Sequence, residues 1–365
     1  MPSASLWSAL ELGGGLRLPN RIVMAPCTRN RCTADLSPPH DAIEHYASRA
    51  EAGLLITEAT MIAPEVQGYL DTPGLFLDSH EAAWASVASA VHERGGRIFV
   101  QLWHTGRVAH SYFSGQQPVG ASDVLDRVPR RQAGVASLYN ERPRMLSSTQ
   151  VEGVIAQHRE SALRARRAGF DGVEVHGANG YLIEQFLRSH TNRRTDDWGG
   201  DPERRARFGI EVVRACIDVF GEGRVGLRLS PAAYFGEMTW TPGDNEAYGA
   251  LLSALADLPL AYVHTGIVED CAYDYLGGTS TEFLRRHWRG CLIANGAYTP
   301  ERAEQMLREG ECELVSFGKL FLANPDLPRR LRDGLALTAY SPSLRLPPTY
   351  ARSPNPGPDA PVFVR

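Results

Sequence analysis

Residues 172–186 read Gly-Val-Glu-Val-His-Gly-Ala-Asn-Gly-Tyr-Leu-Ile-Glu-Gln-Phe, and three of these side chains suit one small target. His176 and Asn179 can donate hydrogen bonds to a carbonyl oxygen, and Tyr181 is a phenol that keeps its proton at neutral pH. Such a set polarises a carbonyl and delivers a proton. The competing interpretation is a glycine-rich connection whose polar residues only satisfy backbone groups. The element that positions them decides between the two. Val173 and Val175 mark a short buried strand, Gly177 and Gly180 punctuate a turn, and Leu182, Ile183 and Phe186 open a helix.

That strand-turn-helix unit recurs. Apolar runs rich in β-branched residues occur at Ile22–Pro26, Leu54–Glu58, Arg97–Leu102, Gly172–His176, Val225–Ser230, Ala261–Thr265, Cys291–Asn295 and Glu313–Phe317. Amphipathic patterns separate them, among them 79–94, 149–168, 202–220, 244–257, 279–288 and 300–309. Asp201-Pro202 and Thr299-Pro300 are N-cap and N1 pairs. Strands buried on both faces and alternating with helices predict a parallel sheet, and eight such units predict an α/β fold with a single closed (β/α)8 TIM barrel. One domain would span residues 1–365, with an N-terminal segment (1–20), a long loop after strand 3 (about 103–148), a segment 231–243 and a Pro-rich tail from Pro342. Barrel chemistry lies at the C-terminal ends of the strands. Thr28, Glu58, Gln101, His176, Arg228, Asn295 and Lys319 all fall there, which suggests a shared site, and the long excursions would wall it.

Bulk properties exclude several classes. The 365 residues are 43% hydrophobic and 22% charged, with a formal charge of −4, so neither nucleic acid nor an anionic membrane is expected as a partner. The arginine clusters Arg164, Arg166, Arg167 and Arg204, Arg205, Arg207 are expected to be solvated helix faces. Six cysteines without CxxC or zinc spacing suggest free thiols and no metal site. No signal-peptide pattern and no membrane-length apolar run is present, so a cytoplasmic protein, monomer or homodimer, is expected. The sequence lacks GxGxxG, Walker, GxSxG and HExxH signatures. It offers instead Asn295-Gly-Ala-Tyr-Thr-Pro after strand 7 and Phe317-Gly-Lys-Leu after strand 8, the two loops where barrels commonly hold a phosphate.

Several further segments carry a resemblance: Leu18-Pro-Asn-Arg-Ile-Val-Met-Ala-Pro-Cys-Thr-Arg-Asn-Arg, Thr57-Glu-Ala-Thr, Gly96-Arg-Ile-Phe-Val-Gln-Leu-Trp-His-Thr-Gly-Arg, Asn192-Arg-Arg-Thr-Asp-Asp-Trp-Gly-Gly, Leu227-Arg-Leu-Ser-Pro and Phe317-Gly-Lys-Leu-Phe-Leu-Ala-Asn-Pro-Asp-Leu. With the His176-x-x-Asn-x-Tyr segment and in this order, the chain resembles the old yellow enzyme family of flavin-dependent ene-reductases from about residue 5 to 350. The resemblance implies non-covalent FMN at the barrel mouth, NADPH or NADH as hydride donor and an activated alkene as substrate. By matching position, Pro26, Thr28, Ala59 and Gln101 would contact the flavin ring, with Thr28 at its C4 oxygen and Arg228 near N1 and C2. Asn295, Gly296, Ala297, Gly318 and Lys319 would hold the phosphate; Tyr69, Trp103, Phe235 and Tyr350 would line the substrate face. In the implied cycle hydride reaches the alkene β-carbon, His176 and Asn179 hold the substrate oxygen, and Tyr181 protonates the α-carbon. The sequence departs from the pattern at Cys27, where Met is usual, at Lys319, where Arg is commoner, and over residues 33–40 and the tail after Tyr350. The rival from another class is a metal-free barrel lyase or aldolase acting on phosphorylated substrates, for which Lys319 is the one Schiff-base candidate.

Overall fold

The computed structural model describes residues 4–344 apart from 129, 133, 134 and 139, and in it the eight apolar runs close into a parallel barrel. The strands are β1 (Ile22–Met24), β2 (Leu54–Met61), β3 (Ile98–Trp103), β4 (Gly172–Gly177), β5 (Val225–Leu229), β6 (Tyr262–Thr265), β7 (Leu292–Ala294) and β8 (Leu314–Phe317). Each pairs with its sequence neighbours, and β8 returns to β1 with Val315 opposite Ile22 and Phe317 opposite Met24. β3, β4 and β5 are buried at every position, which is why they read as continuous apolar runs rather than alternating ones.

Outside the barrel lie α1 (Asp41–Ala47), α2 (Asp78–Glu93), α3 (Ser148–Arg167), α4 (Pro202–Phe220), α5 (Asp244–Leu255), α6 (Ser280–His287), α7 (Pro300–Glu309) and α8 (Leu327–Asp333). The expected caps are made: Asp201 accepts from the Arg204 N–H and Thr299 from the Arg302 N–H. α4 buries Ala206, Phe208, Val212, Val213, Cys216 and Val219, a stripe with helical spacing that turns toward the barrel. The N-terminal segment forms a two-stranded hairpin, Leu10–Leu12 against Leu16–Leu18. Its Leu12, Leu16 and Leu18 pack with Val23, Leu54, Ile56, Phe99, Ile293 and Leu314, an apolar cluster at the N-terminal ends of the barrel strands.

Two expectations are overturned here. Arg205 is not on a solvated face: it is buried and donates to Asp244 Oδ1 (2.8 Å) and to the Leu187 carbonyl (2.9 Å). Burial is possible because the carboxylate and carbonyls replace water around the guanidinium. Glu58 does not join the strand-end site either. A β-bulge between Ile56 and Ala59 adds one residue to β2, so Ala59, not Glu58, comes opposite Gln101 of β3. Glu58 turns outward, where its carboxylate accepts from the Arg29 N–H (2.9 Å) and its own N–H donates to the Tyr46 hydroxyl of α1 (2.9 Å).

No helix among the described residues is long and apolar enough to cross a membrane.

Candidate active site

The C-terminal ends of the strands open into a cavity of about 580 Å³, within the usual range for small-molecule sites. Its lining includes Pro26 and Thr28 after β1, Ala59 on β2, Gln101 and Trp103 on β3, His176 on β4 and Arg228 on β5. Asn179 and Tyr181 from the β4 turn, Tyr69, Phe235, Asn295, Ala297, Gly318 and Lys319 complete the set that the sequence singles out. Gly296 does not line the cavity: it faces Asp270, with room for no side chain, since a Cβ there would lie 2.3 Å from the Asp270 Cβ. Tyr350 lies outside the described residues.

The β4 turn presents its three side chains as one wall. Tyr181 is the residue before the short helix Leu182–Leu187, and its ring stands edge-on to His176 (5.0 Å) and Trp103 (4.9 Å). Its hydroxyl donates to the Tyr69 hydroxyl at 3.1 Å. Tyr69 in turn stacks on Trp103 at 5.5 Å. Burial, reinforced by Arg228, pushes the His176 pKa well below 6.5, so the imidazole is neutral at pH 7 with one N–H to give. Its Nδ1 has no protein partner, and neither has Arg228 Nε, although both residues line the cavity. A group bound in the cavity that both residues line would supply the missing partners.

Behind the wall lies a set of polar residues that reading along the sequence does not find. Asn179 has a left-handed backbone (φ 60°), followed by Gly180 at φ 73°. The Asn179 N–H donates to Ser230 Oγ (2.8 Å), and the Gly180 N–H donates to Glu184 Oε2 (2.8 Å). Glu184 also accepts from Ser230 Oγ (2.5 Å) and from Arg188 Nη2 (2.9 Å). Burial opposes the charge on Arg188, but Tyr248, Glu184 and Asp244 around it raise its pKa above the ordinary arginine value. Tyr234 donates from its hydroxyl to Asn179 Oδ1 at 2.7 Å. On the barrel floor, Glu174 Oε1 accepts from Gln101 Nε2 (2.7 Å), while its other oxygen meets His264 Nδ1 (2.8 Å). Burial raises the cost of charge on Glu174, yet His264, Arg228 and Gln101 hold it below the usual carboxylate range. With its amide nitrogen engaged there, Gln101 has its oxygen left for the cavity.

The cavity's charge is one-sided. Arg228 and Lys319 line it, and none of the described lining residues is a carboxylate. Lys319 is also the only lysine in the sequence; it is exposed and makes no hydrogen bond or ion pair among the described residues. A carboxylate-free, cationic mouth with partnerless Arg228 and His176 atoms, and glycine or left-handed backbone at Gly318 and Ala297 (φ 60°), fits an anionic cofactor such as FMN. Fold and site together define a (β/α)8 barrel whose mouth is built to hold a phosphate-bearing group.

The comparisons agree. Residues 5–338 match the model of the NADH:flavin oxidoreductase / NADH oxidase family. The chain is similar to 12-oxophytodienoate reductase 1 of Oryza sativa subsp. japonica, 38% identical over 334 residues that cover 90% of this chain and 86% of that protein. Among solved structures it is similar to morphinone reductase (TM-score 0.86, 40% identity, 96% of each chain covered). It is also similar to the old yellow enzyme homologue from Zymomonas mobilis (TM-score 0.87, 34% identity, covering 96% of this chain and 99% of that one). The chain belongs to this family, the old yellow enzymes, and is an NAD(P)H-dependent flavin oxidoreductase with FMN as its cofactor.

Proposed function

We propose that this enzyme reduces the activated double bond of α,β-unsaturated carbonyl compounds and nitroalkenes. The observation that carries the proposal is the single wall formed by His176, Asn179 and Tyr181 at the end of β4. The relatives named 12-oxophytodienoate reductase and morphinone reductase point the same way. When bound, FMN supplies the two-electron chemistry between a nicotinamide and the alkene. Pro26, Thr28, Ala59, Gln101 and Arg228 would hold its ring, and Asn295, Ala297, Gly318 and Lys319 its phosphate.

His176 and Asn179 then act as oxyanion donors. A neutral imidazole N–H and an amide N–H hold the substrate's carbonyl or nitro oxygen and stabilise the negative charge that gathers there. Tyr181 gives its proton to the α-carbon. Trp103, Tyr69 and Phe235 supply aromatic walls that keep the substrate flat and exclude water. The lyase or aldolase alternative has no support in the cavity, because no carboxylate lines it among the described residues and its one lysine, Lys319, sits exposed as the first residue of the short helix Lys319–Ala323 after β8.

The test is consumption of NADPH and, separately, NADH with 2-cyclohexenone, N-methylmaleimide and β-nitrostyrene beside their saturated analogues. Consumption with the alkenes only is expected. Equal consumption with saturated analogues, or none with any alkene, contradicts the proposal.

A further inference from the structure

We infer that Tyr234 is a positioning residue that fixes the Asn179 amide as a hydrogen-bond donor, so that the site selects ligands whose anchored atom is an acceptor. This inference rests on the assignment of Asn179 to the substrate oxygen. An amide has one accepting end and one donating end, and packing does not distinguish them by shape. In this chain the accepting end is taken: the Tyr234 hydroxyl donates to Asn179 Oδ1 at 2.7 Å. Burial raises the Tyr234 pKa, so the phenol keeps the proton that this hydrogen bond uses. The amide nitrogen is therefore the free end.

The backbone is held from the same segment. The Asn179 N–H donates to Ser230 Oγ, which passes its own proton toward Glu184, and the left-handed φ of 60° needs such a hold. Ser230 and Tyr234 both follow β5, so one stretch of chain fixes both the position and the polarity of Asn179. Beside it stands His176, neutral with one N–H. Two donors with no acceptor facing the same atom favour a carbonyl, nitro or phenolate oxygen over an amine or other donor group. Without the Tyr234 hydroxyl, the amide is free to turn over and accept.

The experiment uses the FMN-loaded enzyme and two probes of the same shape, p-chlorophenol and p-chloroaniline, titrated by the change in flavin absorbance. The wild type should prefer the phenol by at least about tenfold, because an acceptor is rewarded and a donor leaves groups unpaired. Tyr234→Phe should lower that preference by roughly 3- to 10-fold, the worth of one neutral hydrogen bond, with FMN affinity unchanged. A merely structural role would weaken both probes equally and leave their ratio where it was. In an Asn179→Ala background, Tyr234→Phe should have no further effect on the ratio. If Asn179→Ala itself does not weaken the phenol, the oxygen-anchor assignment fails. If Asn179→Ala weakens it but Tyr234→Phe leaves the ratio unchanged, or lowers it equally in both backgrounds, the role of Tyr234 is overturned while the anchor stands. Equal binding of the two probes to the unaltered enzyme overturns the inference without any variant.

Discussion

Tyr181→Phe should slow enone reduction severely while leaving the fold and the cofactor intact. The ring is buried, edge-on to His176 at 5.0 Å and Trp103 at 4.9 Å, and phenylalanine preserves both contacts. The substitution removes the hydroxyl and with it the bond to Tyr69 (3.1 Å), which costs about 1 kcal/mol of stability. Loss of the positioned acid is larger: 10²–10⁴-fold is the usual contribution, or roughly 3–5 kcal/mol of barrier. A nitroalkene needs less help, because its nitronate product is stable enough to leave and take a proton from water. Its rate should fall by less than about tenfold. Stopped-flow absorbance separates the halves of the reaction. The rate at which NADPH bleaches the yellow enzyme should stay within about twofold of wild type, and the return of colour on mixing with enone should carry the loss. Equal slowing of enone and nitroalkene, or slower bleaching with a normal return of colour, refutes the proton-donor role.

Two other perturbations follow from the same site and its scaffold. Lys319→Ala should weaken FMN retention about tenfold in equilibrium dialysis with the far-ultraviolet spectrum unchanged, since an exposed charge-assisted contact is lost; because Lys319 is the chain's one lysine, FMN should also shield it from an amine-reactive reagent, and unshielded labelling would remove it from the phosphate site. Burial lowers the pKa of His104 to about 3 and that of His158 to about 4, so below about 6.5 the unfolded chain takes up protons that the folded one refuses. Stability is then complete above pH 6.5 and drains as pH falls toward 4, by about 2 kcal/mol per histidine at pH 5; Tm should drop between pH 7.5 and 5, and a flat or rising Tm contradicts the assignment.

The barrel was legible because its strands are buried on both faces: β3 reads Ile-Phe-Val-Gln-Leu-Trp, apolar except for Gln101, which stands out in it. The cavity-facing residues were legible for a related reason, as polar or small groups at strand ends that fold geometry brings to one rim. What escaped depends on closure. Ser230 meets Asn179 across 51 residues, Tyr234 meets it across 55, and His264 meets Glu174 across 90. No local pattern announces such pairs. Glu58 misled because alternation along β2 is interrupted by a bulge that one strand's sequence does not reveal, and Arg205 misled because a charged residue in a helical run is ordinarily solvated.

Delivery of a solvent-exchangeable proton by Tyr181 to the α-carbon, with the β-carbon taking its hydrogen from the nicotinamide, is open to direct test by isotope placement. Wild-type enzyme, NADPH and 2-cyclohexenone bearing an α-methyl group would be incubated in D2O, and the product examined by NMR before the ketone can exchange. One deuterium at the α-carbon and none at the β-carbon is the expected result, with Tyr181→Phe giving the same pattern slowly. Deuterium at the β-carbon, or an untouched alkene, contradicts the account.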